Sequence, residues 1–65
     1  MLTIKNLKVI NYLLSVWNIE DIANEIQIDF LEKDIRLYNS DNKFVSSYNL
    51  LPERRIKLQD YINNL

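Results

Sequence analysis

Four carboxylates lie close enough along the chain to act in pairs, Glu25 with Asp29 and Glu32 with Asp34. Paired acids can run general acid–base transfer or hold a hard cation through oxygen ligands. Either use needs help from its surroundings, and the composition withholds it. The 65 residues include no Gly, no Cys and no His. Gone with them are the glycine loops that cradle phosphates, the thiolate nucleophile, and the imidazole that serves as base or metal ligand. The acids accordingly read as solvated carboxylates, and no catalytic residue, cofactor or metal is expected. Tyr12, Tyr38, Tyr48 and Tyr61 could stack the bases of a single strand, but they read first as rim residues of a core or protein interface.

What binds follows from how charge is arranged rather than from the net value of −1. Residues 1–17 carry Lys5 and Lys8 and no acid. Residues 18–34 carry Glu20, Asp21, Glu25, Asp29, Glu32 and Asp34 against Lys33 alone. Residues 35–65 carry Arg36, Lys43, Arg54, Arg55 and Lys57 against Asp41, Glu53 and Asp60. An acidic block thus lies between two mildly basic ends. Such a block meets a basic partner surface with the help of charge steering.

A small fold must position these side chains. The chain makes one domain over residues 1–65, near the lower size limit for independent folding. Lacking Cys and His, it has no disulfide or zinc-type reinforcement, so helix packing or burial against a second copy must supply stability. A helix is expected over about residues 3–17. Leu7, Ile10, Leu14 and Trp17 repeat at helical spacing, and Val9, Leu13 and Val16 widen the stripe to about two-thirds of the circumference. So apolar a helix is either central in the fold or half of a dimer interface; the favoured reading is a homodimer, with Ile10, Leu14 and Trp17 as its self-association residues. No uncharged run approaches the roughly 20 apolar residues that span a bilayer, so no membrane contact and a cytoplasmic location are expected. The wealth of Ile, Asn and Lys fits AT-rich coding, as in low-GC bacteria and their phages or plasmids.

Asn18 with Asp21 reads as a cap and capping-box acid for a second helix of about residues 19–27. Asp29 with Glu32 repeats that signal for a third, whose stripe is Ile28, Leu31, Ile35 and Tyr38. A competing pattern runs through the same residues. Ile26, Ile28 and Phe30 alternate, as do Ile35 and Leu37, in the manner of strands. Cap and spacing together favour helix over 29–38. Phe44–Tyr48 has strand composition, and Leu51-Pro52-Glu53 opens a C-terminal helix of about 52–63. The expected fold is mainly α: a small helix-turn-helix-like domain, one short strand or hairpin near 43–48, and a C-terminal helix.

Asp21-Ile22-Ala23, Ile26, Ile28 and the run Glu32-Lys33-Asp34-Ile35-Arg36-Leu37-Tyr38 carry a resemblance. On them, residues 19–38 resemble the helix-turn-helix of bacterial winged-helix transcription regulators. The resemblance implies a dimeric DNA-binding regulator, with residues 43–48 as one strand of a wing. Lys33, Arg36, Lys43, Arg54, Arg55 and Lys57 would then touch the duplex. Electrostatics weighs against it, because the groove helix would present Asp29, Glu32 and Asp34 to phosphates. The favoured reading is a small non-enzymatic regulator of phage or plasmid type. It would modulate or inhibit a protein partner through an acidic helical surface of Glu25, Asp29, Glu32, Asp34 and Tyr38.

Overall fold

Alternation decides the centre of the molecule. Glu25-Ile26-Gln27-Ile28-Asp29 and Asp34-Ile35-Arg36-Leu37-Tyr38 each switch between half-buried and fully buried at every step. A period of two marks a strand with one wet face. The computed structural model describes residues 1–64. Its elements run β1 (Leu2–Ile4), α1 (Leu7–Val16), β2 (Glu25–Asp29), β3 (Asp34–Tyr38), β4 (Phe44–Asn49) and α2 (Pro52–Asn63). The strands form one antiparallel sheet in the order β1-β2-β3-β4. Ile26 lies opposite Leu37 and Ile28 opposite Ile35, so the inward residues of β2 and β3 stack as cross-strand pairs.

Both helices cover the same face of this sheet. Ile10, Leu13, Leu14 and Trp17 from α1 and its C-cap join Ile26, Ile28, Ile35, Leu37, Leu50 and Leu58 in one buried cluster. Asn6 starts α1 by accepting hydrogen bonds from the backbone N–H groups of Lys8 and Val9. Trp17 fastens the layers at the other end, its indole N–H donating to the carbonyl of Arg54 at 3.0 Å. Arg54 returns the contact, donating to the Trp17 carbonyl at 3.4 Å and to the Asn49 carbonyl at 3.1 Å. Among the described residues no helix is long and apolar enough to cross a membrane.

The fold is therefore α+β and not the mainly α domain expected from the sequence. The expected second and third helices, residues 19–27 and 29–38, are instead a loop followed by the β2–β3 hairpin, so no helix-turn-helix forms there. Three local causes explain the difference. Asn18 does not start a helix but ends one: at φ 58° it is left-handed. Around it Asn18 N–H bonds to the Ser15 carbonyl and Ile19 N–H to the Leu14 carbonyl, the Schellman pattern of a helix C-terminus. Asp29 does accept bonds from the second and third N–H groups after it, as a cap would, but these close the hairpin turn at Leu31 and Glu32. Leu31, meant for the third helix's apolar stripe, stands at the turn with 90% of its surface exposed. The first helix is also shorter than expected, since residues 2–4 pair with β2 as a strand.

This assignment separates two leucines by their cost of truncation. Leu37→Ala, which empties a fully buried site, should destabilise by about 2–5 kcal/mol in urea unfolding. Leu31→Ala should change stability by less than about 0.5 kcal/mol. Comparable losses at both would support a helix over 29–38 and overturn the hairpin.

Candidate functional site

Burying Ile26, Ile28, Ile35 and Leu37 on one side of the hairpin drives every intervening residue to the other. That outer face is not covered by either helix. Across it lie cross-strand rows set by the register: Thr3, Gln27, Arg36 and Ser47; then Asp29, Asp34 and Asn49; then Glu25, Tyr38 and Phe44. Glu25, Asp29, Asp34 and Tyr38, picked out in the sequence as binding residues of a helix, thus share the open face of a sheet. Glu32 stands in the adjoining hairpin turn, exposed. The acidic surface is thus assembled by the strands.

Asp29 and Asp34 are directly opposed across the strands, a like-charge placement that destabilises a sheet by itself. Arg36 compensates. Its Nη2 donates to Asp34 Oδ2 at 3.1 Å and reaches Asp29 Oδ2 at 3.5 Å. The paired carboxylates in turn raise the guanidinium above its ordinary pKa, Asp34's hydrogen bond first. Asp29 is held below the ordinary carboxylate range, chiefly by the backbone N–H of Glu32, against an opposing desolvation. A carboxylate so stabilised is a standing charge, poorly suited to donate a proton at neutral pH. Asp34 Oδ1 is buried without a hydrogen-bond partner among the described residues. At the other end of the face Gln27 donates to Glu25 at 2.7 Å, and Lys5 approaches Glu25 at 3.7 Å.

Phe44 was not singled out by the sequence as a surface residue. It is 59% exposed and meets Tyr38 edge-on, with ring centroids 6.1 Å apart. A bulge makes this pair, because Tyr38 lies opposite Phe44 while Leu37 lies opposite Ser46, and the extra residue re-aims the strand start. No local pattern gave it, since simple alternation sets Phe44 with Ser46 and Tyr48 on the covered side. Among the described residues no group of three acid, His or Cys side chains converges to hold a metal.

The remaining residues named from the sequence go elsewhere. Ile10, Leu14 and Trp17, assigned to self-association, are buried inside the single chain. The six cations of the duplex-binding alternative do not all share a surface, although Lys33 and Arg55 line one hollow and Arg54 and Lys57 another. Arg36 lies among the acids, Lys33 in the β2–β3 turn, Lys43 beyond the opposite β3–β4 turn, and Arg54, Arg55 and Lys57 on α2. Arg54 clasps the helices, and Arg55 sits over the Phe30 ring at 5.6 Å. No protein-family model, curated protein or solved structure matches this chain.

On the covered side, the loop after α1 is tied to β4 by Asp21, whose Oδ2 accepts from the hydroxyls of Ser46 (2.7 Å) and Tyr48. The Tyr48 bond, then the Ser46 bond, hold the Asp21 carboxyl below its ordinary range. The same contact with Asp21, followed by desolvation, pushes the Tyr48 phenol up. The Asp21 contribution to stability is therefore complete above the ordinary carboxylate range and fades as pH falls through its lowered folded-state value. The Tyr48 contribution holds below about pH 10 and is lost as pH rises through its raised value. Asp21→Asn should lower the melting temperature at neutral pH and flatten the loss on acidification. An unchanged melting curve across the acid range would show that this tie contributes nothing.

Proposed function

We propose that this chain is a small non-enzymatic regulator that binds a protein partner through the open acidic face of its sheet. One observation carries the reading. Both helices cover a single face, and the other face gathers the half-buried Glu25, Asp29, Asp34 and Tyr38 beside the exposed Phe44. Distributed carboxylates steer a basic surface into contact. The aromatic pair supplies the apolar anchor that such contacts concentrate their energy in. Modulation or inhibition then follows from occupying the partner's basic patch. The acids oppose a duplex at this face, since phosphate would meet carboxylate.

Capture from a bacterial lysate, with and without nuclease, tests the reading when run beside two variants. Phe44→Ala removes the anchor and Glu32→Lys reverses an exposed turn charge. Neither touches the buried cluster. A stoichiometric protein recovered by wild type despite nuclease, weakened by both variants and by added salt, is the expected result. Recovery that vanishes with nuclease, together with tighter duplex DNA binding by Glu32→Lys, would overturn it.

A further inference from the structure

The two outer strands of the sheet are unequally protected. β1 is three residues long and runs straight into Lys5. β4 is six residues, Phe44-Val45-Ser46-Ser47-Tyr48-Asn49, with neither a charge nor a proline. Proteins ordinarily guard a free edge with shortness, charge or proline, because its unpaired backbone invites another strand. A bulge is a further guard, and β4 has one only at its start, before Ser46.

The phase of the ladder shows which backbone groups are free. Leu50 N–H bonds to the Lys33 carbonyl at 2.8 Å. Bonded pairs in an antiparallel ladder recur at every second residue, so Tyr48 with Ile35 and Ser46 with Leu37 face inward. Ser47 and Asn49 then turn their N–H and C=O groups away from β3, and β4 has no neighbour on that side. Arg54 occupies the Asn49 carbonyl. Ser47, at the middle of the strand, keeps both groups free.

We propose that this edge pairs with the same edge of a second copy, antiparallel about a two-fold axis at Ser47. A two-fold contact needs a patch complementary to itself. Centred here, Ser47 meets Ser47 of the partner subunit, and Val45 comes opposite Asn49 of the partner subunit, whose carbonyl also accepts from Arg54, with no charge among the paired strand residues. The flanks carry opposite signs. Lys43 precedes the strand and Glu53 follows it in the first turn of α2, and neither forms an ion pair among the described residues. Antiparallel pairing brings each Lys43 to the end of the partner strand that leads into Glu53. Ile22, 85% exposed, follows Asp21 in the loop bonded to the Ser46 and Tyr48 side chains of this strand. The pairing extends the sheet sideways, leaves the acidic face open and does not depend on that face's function.

Sedimentation equilibrium on three proteins tests the pairing. Wild type should be dimeric in the micromolar range. Ser47→Lys and Ser47→Glu should each be monomeric with unchanged far-ultraviolet circular dichroism, because position 47 points to solvent on the outer face and like charges would meet across the axis. An equimolar mixture of the two variants should recover a one-to-one dimer. Wild type that stays monomeric at high micromolar concentration overturns the proposal, as does a Ser47→Lys protein that dimerises like wild type. Folded monomeric variants whose mixture fails to pair would also overturn it, by excluding the axis at Ser47.

Discussion

The register between β2 and β3 is the constraint from which the rest follows. Once Ile26 faces Leu37 and Ile28 faces Ile35, a period of two leaves no freedom in the placement of Glu25, Gln27, Asp29, Asp34, Arg36 and Tyr38. A slip by one residue would turn three carboxylates and a guanidinium into the core, a change far larger than the stability of so small a domain. Asp29 helps to fix that register from the turn, since its carboxylate holds the N–H groups of Leu31 and Glu32. One residue therefore shapes the hairpin and charges its outer face.

The helices answer to this sheet rather than to each other. α1 presents Ile10, Leu13 and Leu14 to the strands. α2 commits only Leu58 fully to the core. What keeps α2 in place at its start is the reciprocal clasp of Trp17 and Arg54, where each side chain bonds to the other's backbone. Arg54 also lies over the Tyr48 ring at 5.6 Å. Tyr48 in turn bonds to Asp21. The end of α1, the loop that follows it, the last turn of β4 and the first turn of α2 are thereby joined through side chains with no covalent staple.

Much of this was legible in the sequence, and the failures have identifiable causes. The C-terminal helix declared itself through Pro52, whose missing N–H and fixed φ suit a first turn. The Phe44–Tyr48 strand showed in its composition. Most buried positions of α1 were also plain, because Ile10, Leu13 and Leu14 keep helical spacing, whereas Leu7, set in the same stripe, is 52% exposed. Residues 19–38 misled because Asn and Asp serve caps and turns by the same hydrogen bonds. Asp29 with Glu32 is a helix signature and a hairpin signature at once. The acids of the candidate site could be chosen from charge alone, but their shared face depended on strand pairing. Phe44 stayed hidden because its exposure arises from a bulge, which no local pattern announces.

Asn18, Lys33 and Asn42 all hold left-handed backbone, at φ 58°, 57° and 60°, in a chain without glycine. Each position carries a side chain where glycine would be free of strain, at about 1–2 kcal/mol for an ordinary residue such as Lys33 and less for asparagine. The unfolded chain is correspondingly less disordered, because every residue has a Cβ that narrows its accessible conformations. Replacing a glycine by a bulkier residue lowers denatured-state entropy by about 0.4–1 kcal/mol per site where the native backbone permits it. A modest core thus closes on a chain that is already restricted, and local strain in three tight bends is the counterpart of a smaller entropy loss on folding.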